Sequence, residues 1–373
     1  MRTELCDRFG IEYPIFVFTP SEKVAAAVSR AGGLGMLGCV RFNDADDLEN
    51  VLQWMDANTD GKPYGVDIVM PAKVPTEGTS VDINKLIPQT HRDFVDKTLA
   101  DLGVPPLPED EARSEGVLGW LHSVARSHVE VALRHPIKLI ANALGSPPKD
   151  VIDQVHAAGV PVAALAGSAK HAQRHAENGV DIVIAQGHEA GGHTGEIASM
   201  VLVPEVVDAL GGDTAVLAAG GIGSGRQVAA ALALGAQGVW MGSAFLTAAE
   251  YDLGVRTEGG ASVIQQALLA AGSSDTVRRR IYTGKPARLL KSRLTDAWDA
   301  DGAPEPLPMP LQNILVSGAH QRMSESSDPT TVAMPVGQIV GRMNEIRPVA
   351  DIIAELVSGF EDATKRLDGI REG

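Results

Sequence analysis

Short apolar runs alternate along this chain with stretches of helical period, and the alternation recurs from Pro14 to Leu246. Pro14–Phe18 (PIFVF) is the first apolar run. Ser21 then caps a helix with Val24, Ala27, Val28 and Ala31 on one face, ended by Gly32 and Gly33. Met36–Val40 is a second strand, followed by a helix capped by Asn43 with Leu48, Val51, Leu52 and Met55 turned inward. Tyr64–Val69 is a third, and it carries Asp67 in an otherwise apolar run. Lys138–Asn142, Pro161–Leu165 and Asp181–Ala185 supply strands four to six, with helices opened by Ser146–Pro147 and by Ser168 between them. Ala215–Ala219 and Gly238–Met241 complete the set around a helix that starts at Ser224 and ends at Gly235. Strands apolar throughout are buried on both faces, as a parallel sheet requires. Eight such units predict an α/β chain closed as a (β/α)8 TIM barrel; an open doubly wound sheet is the alternative, and the count of eight favours the barrel.

The rhythm breaks after strand three. Residues 71–136 form a proline-rich insertion with an acidic knot at Glu109–Glu111 and a helical period over Val117–Leu133. Insertions of this length act as lids or binding loops, or else decorate the surface or an oligomer contact. Residues 251–373 read as mostly helical, closing with an amphipathic helix over Val349–Thr364. The expected organisation is therefore a barrel over 1–250, interrupted by the lid-like segment, with a helical C-terminal extension over 251–373 packed on it.

A net charge of −15 is spread along the sequence without a basic patch, which argues against nucleic acid and anionic membranes as partners. Two cysteines, Cys6 and Cys39, are too few for a disulfide scaffold or a metal cage, and fit a reducing compartment. With no leader pattern and no apolar run of membrane-spanning length, a cytoplasmic protein acting on a small molecule is expected, with a homodimer left open.

Chemistry concentrates at the C-terminal ends of the last three strands. Gly220, Gly221 and Gly223 follow strand seven, and Gly242 with Ser243 follows strand eight, each beside a helical start. Adjacent turns of this kind present backbone N–H groups to one point and bind an anion, phosphate above all. A tight strand-to-helix turn is the other use of such glycines. After strand six, Gln186–Glu196 (QGHEAGGHTGE) packs two histidines and two carboxylates among glycines. His193 is the candidate functional histidine, a hydrogen-bonded loop histidine being its alternative, and His188 is expected to face solvent. The two histidines lack the further ligands of a zinc site.

The runs IVIAQGHEAGGHTG, LVPEVVDAL, AAGGIGSGRQVAAALALGA and GVWMGSAFL resemble the nitronate monooxygenase family, over roughly Pro14 to Leu246 and again at Gly284–Arg288. The resemblance implies a barrel that holds FMN non-covalently, with the phosphate at Gly220, Gly221, Gly223, Gly242 and Ser243. It also implies flavin contacts from Gln186, Gly191, Trp240 and Met241. Asp67 stands where the family usually has asparagine, and its carboxylate is expected to repel reduced flavin unless protonated or paired. The first strand ends in Val17, Phe18, Thr19 and Pro20, so Phe18 and Thr19 are expected to contribute backbone contacts only. In one branch a strand-five histidine is the base; aligned through Gly159 and His171, that position is Ala164, which cannot remove a proton.

Two activities follow from the resemblance. One is oxidation of an already ionised alkyl nitronate, with dioxygen as co-substrate, to a carbonyl compound and nitrite. The other is an NAD(P)H-dependent ene reduction, since flavin enoyl reductases of bacterial fatty acid synthesis are similar in the Glu-Ala-Gly-Gly-His loop. They have a histidine where this chain has His156, whose helix-end position also suits a purely structural role. Inosine monophosphate dehydrogenases share the double phosphate turn but need a cysteine after strand six, and this chain has none there. A flavin-binding barrel without turnover is the remaining alternative.

Overall fold

The computed structural model describes residues 1–70, 83–106, 122–256 and 260–372. Eight parallel strands close a barrel: β1 (Ile15–Thr19), β2 (Leu34–Gly38), β3 (Tyr64–Ile68), β4 (Ile140–Asn142), β5 (Val162–Ala166), β6 (Ile182–Gln186), β8 (Ala215–Ala219) and β9 (Gly238–Met241), while the short β7 (Gly192–His193) stands outside it. Each barrel strand pairs with its neighbour in chain order and β9 returns to β1, so the closed barrel holds and the open sheet does not. Period-two alternation sorts the side chains. Phe16, Met36, Ala141, Ala163, Ile184 and Leu217 share the interior, whereas Val66, Ile140, Val162 and Ala164 pack outward with Leu48, Leu52 and Val129. The helix Glu4–Phe9 closes the N-terminal end. Its Leu5, Cys6 and Phe9 join the interior cluster, and Phe9 meets the edge of Phe16 at 5.4 Å. Among the described residues, the end of the barrel left open is the C-terminal mouth.

Three local expectations shift. β2 starts at Leu34 rather than Met36, and Cys39–Arg41 is a 3-10 turn. The cause is Gly35, which looks like a break but lies in the strand: a Cβ there would fall 2.0 Å from the Ala25 carbonyl oxygen of the covering helix. Asp44, not Asn43, caps the next helix, accepting from the Asp47 N–H at 2.9 Å. Strand four is shorter than its apolar run, although the Lys138 N–H still donates to the Tyr64 carbonyl at 2.8 Å.

The C-terminal region adds something the helical reading missed. β7, β10 (Thr276–Arg279) and β11 (Ala287–Leu290) form an antiparallel sheet in the order β10-β11-β7, which pins the loop after β6. The region shares its core with the barrel, because Val263, Leu268, Val336, Ile352 and Leu356 cluster with Val17, Val24 and Val239. The closing helix Val349–Glu372 crosses the helix Gly225–Ala233 at two facing glycines; a Cβ on Gly225 would lie 2.2 Å from the Phe360 nitrogen. Within the insertion, the helix Gln89–Asp101 docks on the C-terminal region, with Phe94 edge-on to Trp298 at 4.8 Å and Arg322 donating to the Val104 and Pro105 carbonyls at 2.8 Å each. Residues 71–82 and 107–121, which carry the acidic knot and the start of the Val117–Leu133 period, lie outside the described residues. No helix among the described residues is long and apolar enough to cross a membrane.

Candidate active site

At the barrel mouth β8 runs into Gly220 and Gly221, whose φ angles of 99° and 69° belong to glycine. A Cβ on Gly220 would come within 3.0 Å of the Ser199 Oγ, and one on Gly221 within 2.9 Å of Glu189 Cγ. Gln227 braces this turn. Its Oε1 accepts from the Gly223 N–H and the Ser224 hydroxyl, both at 3.0 Å, and its Nε2 donates to the Gly221 carbonyl. Ser224 sits at the N-cap of the helix Gly225–Ala233, but its hydroxyl serves Gln227 rather than the helix backbone.

Phe18, Gln186, Gly191, Gly220, Gly221, Trp240, Met241, Gly242 and Ser243 all line one cavity of about 150 Å³. The fold thus brings the end of the first strand to the turns that follow the last three. Three of the residues expected to contact flavin lie outside this lining. Thr19 is the buried last residue of β1, its Oγ1 accepting from the Ser21 N–H at 3.1 Å. Gly223 lies behind the cavity, where a Cβ would meet Ile339 Cγ1 at 2.4 Å. Asp67 alternates with the outward Val66 and Ile68, so it faces the bore beside Gly38 of β2 and Ala141 of β4. It is 2% exposed, its Oδ1 has no hydrogen-bond partner among the described residues, and burial pushes its carboxyl up to about 8. At neutral pH it is uncharged, so the expected repulsion of an anionic ring does not arise.

The loop after β6 is tied from outside. Buried Arg288 of β11 donates to the His188 carbonyl at 3.0 and 3.2 Å; Arg278 of β10 donates to the Thr194 carbonyl at 2.8 Å and to Glu196 at 2.6 Å. Glu189 accepts from the Ser199 N–H. His188 is half-buried, not solvent-facing: its Nδ1 lies 3.2 Å from the Gly195 carbonyl, the hydrogen bond of a loop-forming histidine. His193 pairs with Ala287 in the small sheet, and its Nε2 lies 2.6 Å from the Thr283 hydroxyl. Burial, then nearby Lys285, pushes its imidazole down to about 4, so it is neutral. Its neighbour Gly192 lines the cavity, and His193 stands one position behind.

Ala164 faces the outer helices, so the position aligned with a family base does not open into the mouth; Ala163 and Leu165 are the inward residues of β5. His156 ends the helix before β5, paired with Asp181 at 2.8 Å where β6 begins, at the barrel end opposite the mouth. Its proposed correspondence to a reductase histidine therefore brings no group to the site.

Sequence reasoning missed the segment Pro335–Ile339. Pro335, Gly337 and Ile339 line the cavity, and the Gly337 N–H donates to Ser243 Oγ at 2.9 Å. Gly191 and Gly337 allow the two backbones to touch, since a Cβ on Gly191 would lie 2.7 Å from the Val336 carbonyl carbon. It also missed a second cavity of about 580 Å³, which shares Pro20 and Pro335 with the first and is lined by Arg41, Tyr251, Asp252, Tyr282 and His320 among apolar side chains. Among the described residues, no insertion residue lines either cavity, and no group of three or more His, Cys, Asp or Glu side chains is placed to hold a metal. At about 150 Å³ the first cavity is smaller than the ~300 Å³ at which ligand pockets begin, so a nucleotide-sized ligand anchored there must extend past Pro20 and Pro335.

A family model described as nitronate monooxygenase matches residues 2–359. A Mycobacterium tuberculosis protein, Rv1533, whose name proposes a monooxygenase, is 46% identical over 99% of both chains. Among solved structures, nitroalkane oxidase from Streptomyces ansochromogenes is 26% identical over 97% of this chain and 99% of its own, with a TM-score of 0.77. FabK from Thermotoga maritima is 28% identical over 99% of both chains, with a TM-score of 0.74.

Proposed function

The chain belongs to the nitronate monooxygenase family and is a flavin-dependent oxidoreductase, and from that premise we propose that it holds FMN and oxidises alkyl nitronates with dioxygen to a carbonyl compound and nitrite. The observation that carries this reading is the glycine-walled cavity where β8 and β9 end. Positive-φ glycines at 220 and 221, with Gly242 and Ser243 opposite, leave bare backbone where phosphate oxygens need close N–H donors. Among the described residues the lining contains no lysine, arginine or carboxylate, so backbone dipoles are the means of holding a dianion there. Trp240 and Phe18 supply apolar surface to a planar ring and the Gln186 amide supplies a hydrogen-bonding edge. Bound FMN would supply the chemistry of accepting two electrons from the nitronate carbon and passing them to dioxygen, which leaves as hydrogen peroxide while water provides the carbonyl oxygen and nitrite departs. A nitronate arrives ionised and needs no base, which agrees with an outward-facing Ala164. His193, neutral and tied to Thr283, positions the loop that carries Gly191 and Gly192. The test is a screen of alkyl nitronates under air with oxygen uptake and nitrite read together. Matched oxygen consumption and nitrite release are expected; neither product appearing with any nitronate refutes the oxidase reading.

The likeness to FabK supports a second reading, NAD(P)H-dependent reduction of an activated C=C bond. Anaerobic NADPH separates the two, because it bleaches the flavin of a reductase at a useful rate and leaves that of the oxidase yellow.

A further inference from the structure

The helix Leu311–Ser324 has two working faces, and the insertion holds one of them. Asn313, Ser317, His320 and Ser324 recur at helical spacing and line the larger cavity. Val316, Ala319 and Met323 turn to the neighbouring face, where they share one buried cluster with Val95, Leu99 and Val104 of the insertion. Met323 belongs to both, since it also lines the cavity. Polar contacts divide the helix in the same way. Its N-terminal end is tied to the body of the protein through Gln312, whose Nε2 donates to the Ile281 carbonyl at 2.8 Å. Its C-terminal end is tied to the insertion through Arg322, which donates from two nitrogens to the Val104 and Pro105 carbonyls at 2.8 Å each, whereas the Val255 N–H reaches the Ser324 carbonyl there at 3.4 Å. The insertion is anchored in turn by Phe94 against Trp298 and by His91, whose Nε2 lies 3.1 Å from the Glu305 carbonyl. A close-packed contact of this kind passes a displacement on rather than absorbing it.

We propose that the insertion sets the width of the larger chamber without entering it: residues 89–105 buttress the helix Leu311–Ser324, and Arg322 is the positioning residue that carries their hold to the chamber wall. On the oxidase reading, on which the identity of the occupant rests, the insertion thereby selects nitronates by the bulk of their carbon skeleton. A volume of about 580 Å³ suits such a skeleton, and Pro20 and Pro335, shared with the glycine-walled cavity, put it next to the flavin site.

Ser317→Cys puts a reporter thiol on the chamber face, while the native thiols of Cys6 and Cys39 are buried. In the flavin-loaded protein that thiol is alkylated with N-ethylmaleimide and with N-(1-pyrenyl)maleimide, which share one chemistry and differ in bulk. Adding Arg322→Met is expected to raise the bulky-to-small rate ratio at least tenfold, and Arg322→Lys, which keeps one donor group, to return it to within threefold of the parent. Val95→Ala, which trims the buttress and leaves the Arg322 bonds in place, moves the ratio in the same direction. A ratio unchanged in both Arg322→Met and Val95→Ala overturns the proposal. So does an equal rise with both reagents accompanied by labelling of Cys6 and Cys39, which is general loosening and not a wider chamber. Turnover gives a separate readout. Because a wider chamber holds the skeleton less closely, Arg322→Met is expected to raise KM for a bulky nitronate at least fivefold and to leave kcat, and KM for the nitronate of nitroethane, within twofold; equal changes for both substrates contradict size selection. If no nitronate turns over, the labelling still decides the proposal, so the oxidase reading and the buttress fail separately.

Discussion

The two cavities at the barrel mouth are built in opposite ways. The smaller is walled in large part by backbone: Gly191, Gly220, Gly221 and Gly242 are there so that side chains are not, and most of its lining comes from the turns after the last three barrel strands. The larger is made of side chains that the fold gathers from Pro20, Arg41, Tyr251, Tyr282, His320 and Val332. A site that binds through peptide groups has to be permissive in conformation, and that requirement is met locally by glycine. One that discriminates between substrates needs distinct side chains, and these reach each other only through tertiary packing. The contrast predicts that damage to the first cavity removes the cofactor, whereas damage to the second changes which ligand is preferred.

The sharpest way to break this contrast is Gly221→Val. A β-branched residue at a φ of 69°, with its Cβ 2.9 Å from Glu189 Cγ, is expected to weaken FMN at least a hundredfold, ~2.7 kcal/mol, and to give pale protein on purification. Fully yellow protein of normal affinity means the phosphate lies elsewhere. Gln227→Leu comes next. It removes the brace on the Gly221 carbonyl, the Gly223 N–H and the Ser224 hydroxyl, and at ~1 kcal/mol per hydrogen bond, partly recovered by water, the expected loss of FMN affinity is about tenfold by fluorescence titration.

His193→Ala tests the loop between the cavities. Loss of its bond to Thr283 is expected to lower turnover roughly tenfold, ~1.4 kcal/mol in barrier, with flavin retained; unchanged kcat leaves the imidazole as loop support only. Asp67→Asn leaves both cavities alone, and its effect appears in stability against pH. The folded carboxyl titrates at about 8 and the unfolded one near ~3.9, so between those values the unfolded chain releases a proton that the folded one keeps. Wild-type stability therefore falls as pH rises from about 4 to about 8. The amide in Asp67→Asn does not titrate and escapes that loss, so the variant's advantage in Tm is expected to widen across this window and to level off above it. A difference in Tm that does not vary with pH contradicts a buried neutral carboxyl.

How far the sequence reveals the molecule follows the same division. The eight strands are legible because each is a short apolar run, and the ends of β8 and β9 are legible because their glycine turns are written in consecutive residues. Ser21 and Ser168 act as the caps their positions predict, accepting from the Val24 and His171 N–H groups. Gly35 misleads because its reason lies in Ala25 of a packed helix, not in its neighbours along the strand. The small sheet is hidden because β7 is only two residues long and finds its partners in Ala287 and Arg288, far along the chain. His320 carries no local mark. Its helix Leu311–Ser324 has apolar and polar residues all round, since it lies between the docked insertion helix and the chamber. The misplacement of a base at Ala164 has a simple physical remedy: strand alternation, once β5 is in register with β4 and β6, decides which residues face the bore.

The central claim is that peptide N–H groups at the ends of β8 and β9 grip the phosphate of the flavin, and it is tested most directly by stripping the protein of cofactor and titrating it in parallel with FMN and with riboflavin. The account predicts that riboflavin, identical but for the phosphate, binds at least a hundredfold more weakly. Equal affinities for the two would contradict it.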